Sequence, residues 1–199
     1  MSLDLRGAWP DVISERAPNA RLCADPFHVV KLASDALDKL RREDWQRLRR
    51  EDPERARWLK GTRFLLRKRA DRLGEGERSL IDELADTNER VYRGWLLVDQ
   101  LRAVYQADAH EQAQLLLAAW CETAATSGLA PFARGAATLS LNAEAIVNAI
   151  QLGLSNARLE AMNSTVRLIS HRSRGFRRIE SLLAMITLVC GRVPITLPT

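Results

Sequence analysis

The chain has 199 residues, 46% of them hydrophobic and 28% charged, enough to bury a core in one domain or in a domain with an insertion, so it should fold at least in part. A net charge of +5 favours polyanionic partners without naming one. No run of about 18 apolar residues could span a bilayer, the first residues lack the basic-then-apolar order of a signal peptide, and Cys23, Cys121 and Cys190 lack CxxC or zinc-type spacing, so a membrane, secreted, disulfide-framed or metal-thiolate protein is not expected and the reducing cytoplasm is.

Residues 1–5 alternate apolar and polar side chains from the initiator Met, which predicts a short strand with no preceding strand to pair with, as if a sheet were entered partway. A helix follows over about 8–17, closed by Pro18 and Asn19, and then a second strand over 20–24. From Pro26 the spacing turns helical, with Phe27, Val30, Ala33, Leu37 and Leu40 on one face and Asp38, Lys39, Arg41 and Arg42 largely opposite. Residues 41–78 are dense in Arg, Glu and Asp, with Trp45 and Trp58 interspersed, and predict an interrupted, strongly basic connector with a solvated surface.

Leu80, Leu84, Val91, Trp95, Val98, Leu101 and Tyr105 trace a long amphipathic helix with a break near Asn88, and another helix covers about 111–125. Gly128 and Pro131 separate it from a helical stretch over 133–150, and after a turn at Gly153 a helix starts near Ser155 or Asn156 and runs past Arg167. A last apolar helix uses Ile179, Leu182, Leu183, Ile186 and Val189. The expected organisation is a strand-helix-strand module over 1–28, a helical insertion over 29–150, and closing helices over 151–199 that pack back on the module.

Three acids stand where a rigid element could present them: Asp4 in the first strand, Asp25 at the end of the second and Glu160 in the late helix. Metal-assisted phosphoryl transfer needs carboxylates converging from several elements to hold two divalent cations roughly 4 Å apart; separations of 21 and 135 positions are compatible with this but do not establish it. On a helix, Asn156, Glu160, Asn163 and Arg167 share one face. His171, Arg172, Arg174, Arg177 and Arg178 follow, with Gly175 and Phe176 among them, a cluster suited to gripping phosphates or simply a solvated basic turn. Asp25 and His28 form the other compact pair, in which a neutral imidazole could orient the acid or a ligand; the plainer alternative is an N-cap beside a structural histidine.

The blocks "SLDLRGAWPDVISERAPNARLCADPFHVVKLASDALDKLRRE" and "GLSNARLEAMNSTVRLISHRSRGFRRIESLLAMITLVCG" resemble the two segments that flank the helical insertion of ISL3-type insertion-sequence transposases. "WLKGTRFLLRKRADRL" and "LLVDQLRAVYQADAHEQAQLLLAAW" are similar to that family's insertion. The resemblance implies an α/β, RNase H-like catalytic domain, here mostly α, whose acids bind two magnesium or manganese ions. It implies hydrolysis of a phosphodiester at a transposon end and strand transfer, with transposon-end and target DNA as partners and assembly as a dimer or larger. Glu160 matches the family's glutamate, Asp4 its second acid, and Asp25 with His28 its D-x-x-H motif, so the first acid is expected upstream of Met1 and the chain alone is expected to be weakly active or inactive. A competing alignment makes Asp4, Asp25 and Glu160 themselves the triad. A non-catalytic, basic helical nucleic-acid-binding protein is the alternative.

Overall fold

The computed structural model describes residues 2–3, 9–154 and 157–191, and among these leaves aside the side chains of residues 2–3, 9–11, 14 and 157–160. The first strand, β1 (Ser2–Leu3), is followed by helix α1 (Trp9–Arg16) and by β2 (Cys23–Ala24), and the two strands pair in parallel with Ser2 opposite Cys23 and Leu3 opposite Ala24. The second strand is shorter than the predicted 20–24. Residues 20–22 are diverted: Ala20 N–H donates to Ala17 O at 2.9 Å, and Leu22 O accepts from Asn148 Nδ2 at 3.2 Å, so Leu22's carbonyl bonds a helix instead of a ladder.

Helix α2 (Pro26–Glu51) starts where Asp25 caps it and Pro26 supplies a pre-set φ. Its buried stripe runs through Val29, Ala33, Ala36, Leu37, Leu40, Arg41, Asp44 and Leu48, three to four residues apart as a helix face requires. The predicted face is therefore corrected in its first turn. Phe27 is 58% exposed because it lies two positions, about 200° at 3.6 residues per turn, from Val29. Arg41 also moves from the solvent face to the core edge, where its stem packs and its guanidinium bonds Asp38 at 2.7 and 3.1 Å. Partial burial would raise the Asp38 pKa, but the Arg41 hydrogen bond and the charges of Arg41, Arg42 and Arg63 outweigh it and hold the carboxyl below its usual value.

Residues 41–78 are not an open connector. Asp52 ends α2 by donating its N–H to Leu48 O at 2.8 Å and caps α3 (Pro53–Gly61) by accepting from Arg55 N–H at 3.0 Å. Two 3-10 turns follow at Leu65–Arg67 and Ala70–Arg72. Leu48, Ala56, Leu59, Leu65, Leu66 and Leu73 all enter the core, spaced helically but outnumbered by charges that conceal the period.

Asn88 breaks the next segment as expected, ending α4 (Glu75–Thr87) with its N–H on Leu84 O and opening α5 (Glu89–Val104) by accepting from Val91 N–H at 3.0 Å. Helix α6 (His110–Thr126) follows, and the stretch predicted as one helix over 133–150 is two, α7 (Ala130–Leu141) and α8 (Ala143–Leu152). Pro131 lies in the first turn of α7 rather than before it, where a missing N–H costs nothing. Gly153 ends α8 at φ +59°, left-handed backbone that suits glycine.

Helix α2 packs against α3, α5 and α7, α6 against α7 and α8, and α8 against β2. At the centre, Gly94 of α5 meets Leu37, Leu40 and the fully buried Phe132. Trp120 Nε1 donates to Leu97 O at 2.7 Å, which ties α6 to α5. Asp44 is held by Arg90 of α5 at 2.8 Å, and the same guanidinium reaches Glu43 at 2.7 Å.

Residues 1–154 form one compact unit and residues 155–199 another. In the second, α9 (Ala157–Arg172) packs against α10 (Ile179–Cys190). Of the predicted apolar face of α10, Leu182 and Ile186 are half-buried, whereas Ile179, Leu183 and Val189 are more than half exposed. Among the described residues no helix is long and apolar enough to cross a membrane.

Candidate functional site

In the first unit the site is built around Asp25, which follows the paired end of β2 and precedes α2. Its carboxylate is almost wholly buried; Oδ1 accepts from Phe27 N–H at 3.3 Å and Oδ2 lies 3.8 Å from His28 Nε2. Asp25 is an N-cap, worth about 1 kcal/mol, and it also lies beside the imidazole. His28 is half-buried and meets the exposed Phe27 edge to face, with ring centroids 5.5 Å apart.

Tyr105, at the end of α5, was expected only as an apolar face residue. Its hydroxyl is buried without a hydrogen-bond partner among the described residues, and burial together with the charge of Asp25 pushes its pKa well above the ordinary tyrosine value. No local motif links positions 25 and 105; the kinship arises only when α5 packs on α2.

Leu3 pairs with Ala24, and the residues that follow them in sequence are Asp4 and Asp25. Asp4 itself lies outside the described residues, as does Asn156, and so does the side chain of Glu160, whose backbone belongs to α9. Among the residues that are described, no group of three His, Cys, Asp or Glu could hold a metal ion. The thiols make no such group either: Cys23 and Cys121 are buried, Cys190 is half-buried, and all are free. Burial pushes the Cys121 thiol up.

The second unit gathers the basic residues. Asn163 and Arg167 lie one turn apart on α9, His171 and Arg172 close its last turn, and Arg174, Arg177 and Arg178 occupy the connection to α10, all of them exposed. Among the described residues none of these arginines has an ion-pair partner. The connection is a tight one: Gly175 N–H reaches back to Ser170 O at 3.3 Å and Arg174 N–H to His171 O at 3.2 Å, the paired bonds of a Schellman turn. Arg174 takes the left-handed position at φ +52°, which ordinarily favours glycine. Residues 155–199 carry seven arginines and two glutamates, the whole of the chain's net charge of +5, while residues 1–154 are neutral with 23 basic and 23 acidic residues.

The described residues thus comprise a helical unit with a parallel strand pair and a buried acid after its second strand, and a cationic helical hairpin. Comparison with known proteins gives the chain a family. The family model described as "Transposase", of the DDE type named for ISL3, matches residues 1–186. The transposase for insertion sequence element IS1557 of Mycobacterium tuberculosis is 35% identical over 218 aligned positions, covering 100% of this chain and 49% of that protein. The transposase for insertion sequence element IS1001 of Bordetella parapertussis is 28% identical over 178 positions, covering 89% of this chain and 44% of that protein. No solved structure matches. The chain belongs to the ISL3 family of DDE transposases and spans about half the length of the curated relatives it matches.

Proposed function

We propose that this chain supplies part of the catalytic domain of an insertion-sequence transposase, acting on DNA by metal-dependent phosphodiester hydrolysis and strand transfer. The observation that carries the proposal is the buried Asp25 beside His28 at the end of a parallel strand pair, in a chain that matches the family model over nearly its full length. In this reading residues 1–28 and 151–199 belong to an RNase H-like domain interrupted by the helices of 29–150. Asp4 and Glu160 would hold magnesium or manganese, which would polarise the scissile phosphodiester and activate the attacking oxygen; among the described residues no group of three His, Cys, Asp or Glu could hold a metal ion by itself. Asp25 and His28 act as a positioning pair: the buried carboxylate fixes the first turn of α2 and with it the imidazole, which is exposed enough to meet a ligand. Asn156, Asn163, Arg167, His171, Arg172, Arg174, Arg177 and Arg178 contact the DNA backbone, where charge and exposure serve better than burial. The active protein is a dimer or larger assembly on DNA, and the chain by itself cuts DNA weakly or not at all.

The test is manganese binding, followed by the loss of the free-ion electron paramagnetic resonance signal, with DNA nicking assayed in parallel. The chain should bind manganese, and Asp4→Ala and Glu160→Ala should each weaken that binding while leaving metal-free DNA binding intact. Manganese binding that ignores both substitutions, together with DNA binding indifferent to metal, would replace this reading with a non-catalytic nucleic-acid-binding protein. Strong nicking that needs Glu160 would keep the transposase reading and refute the inactivity of the chain alone.

A further inference from the structure

The first unit is neutral as a whole, yet its face between α2 and α7 is not. A groove of about 700 Å³ is lined by His28, Lys31, Asp35, Lys39 and Arg134 among others. A smaller hollow lined by Asp38, Arg41, Arg63 and Arg67 adjoins it, the two sharing Asp35. Six cations thus face two carboxylates. Lys31 is paired with Asp35, and Arg41 with Asp38; Lys39, Arg63, Arg67 and Arg134 have no carboxylate at ion-pair distance among the described residues. Beside the smaller hollow stands Phe64, 71% exposed, with the Arg63 and Arg67 guanidinium carbons 5.9 and 6.0 Å from its ring centroid. The buried Leu65 and Leu66 directly behind it anchor the backbone, so the ring is held outward instead of folding into the core. An outward aromatic flanked by two guanidinium groups, next to a cationic groove, has the composition of a site for a nucleic-acid strand: phosphates on the cations and an unpaired base on the ring.

We propose that this face is a second DNA-binding site, separate from the basic turn of the second unit, in which Lys39 and Arg134 contact the phosphates of one strand and Phe64 stacks on an unpaired base. The proposal takes DNA as ligand from the transposase reading but needs neither Asp4, Glu160 nor a metal. A strand leaving a duplex satisfies both halves of the site, since its backbone reaches the groove while its base is free of the helical stack.

The experiment measures fluorescence anisotropy of a labelled DNA hairpin with an unpaired tail, beside its blunt counterpart, in buffer containing a chelator. A 2-aminopurine in the tail reports stacking. Phe64→Ala should lower affinity for the tailed hairpin on the order of tenfold, abolish the 2-aminopurine response, and leave blunt-hairpin binding unchanged. Lys39→Ala and Arg134→Ala should weaken binding of the tailed hairpin and each reduce the slope of log affinity against log salt by about 0.7. Circular dichroism of each variant should match the parent, because all three side chains are exposed. Equal preference for tailed and blunt DNA in the parent chain, or an unchanged response in Phe64→Ala, would overturn the proposal, as would tighter binding of the same tail made of RNA. The binding is measured in chelator and reads Phe64, Lys39 and Arg134 alone, so failure of the metal-binding test and failure of this one are separate results.

Discussion

The Tyr105 hydroxyl is buried, and the charge of Asp25 adds to the cost of ionising it. Burial, and after it the Asp25 carboxylate, oppose a negative charge on the phenol, so its pKa lies above the ordinary tyrosine value. A group whose folded pKa is raised adds stability that is intact below the unfolded pKa and lost as pH climbs toward the folded one. The protein should therefore lose stability above about pH 10, by up to about 1.4 kcal/mol per pH unit, until the phenol ionises. Tyr105→Phe removes both this slope and a buried hydroxyl that has no partner among the described residues, so urea unfolding at pH 10.5 to 11.5 (roughly the window opened by the ordinary tyrosine pKa) should find the variant more stable than the parent. An identical slope in both proteins would mean that the phenol ionises in solvent as an ordinary tyrosine does.

At the scale of the elements, close approach separates two glycines that look alike in sequence. A Cβ on Gly94 would stand 3.1 to 3.2 Å from Leu37, Leu40 and Phe132, three side chains of the packed centre that cannot all yield. A Cβ on Gly135 would meet only the Leu32 Cδ2 atom, at 2.7 Å, and Leu32 is half-buried at the edge of a groove into which it can turn. Each substitution gains about 1 kcal/mol of helix propensity, against an overpacking cost of about 1–3 kcal/mol. Gly94→Ala should thus destabilise the protein by about 1 kcal/mol in denaturant titration, and Gly135→Ala should be neutral or slightly stabilising. The same physics explains which elements are legible in the sequence. Breaks with their own side-chain chemistry stand out: Asn88 between α4 and α5, Gly153 after α8, and Asp25 with Pro26 at the head of α2. The division of α7 from α8 at Asn142 carries no such mark, because Asn142 makes no capping bond through its side chain to the helix that follows. The helical character of 41–78 is hidden because its core leucines are few and its charges many, so that only packing against α2 and α5 shows which residues are inside.

Across the whole molecule, charge and apolar surface are divided unequally. All of the net positive charge falls in residues 155–199, and the basic turn between α9 and α10 was legible because clustered arginines stand out in any linear string. The pairing of Asp25 with His28 was legible for the related reason that i and i+3 meet on a helix. Tyr105, Lys39, Phe64 and Arg134 were not, since they come from four separate places in the chain and only the fold assembles them beside Asp25 or around the groove.

The tryptophans are divided as well. All five, Trp9, Trp45, Trp58, Trp95 and Trp120, fall before residue 155, and two are buried with indole N–H groups donating to backbone carbonyls, Trp95 to Lys68 and Trp120 to Leu97. Indole emission is thus an optical reporter of the first unit and is silent for the second, whereas far-ultraviolet circular dichroism records the helices of both. The helical hairpin of 157–191 buries few apolar side chains in its own unit, too little to hold two helices firmly. Heating followed by both signals should lose part of the ellipticity before the emission shifts, and coincident transitions would mean that the two units melt as one. In this chain the colour of the emitted light and the handedness of the absorbed light answer different questions, and the gap between the two curves measures how far one half of the molecule depends on the other.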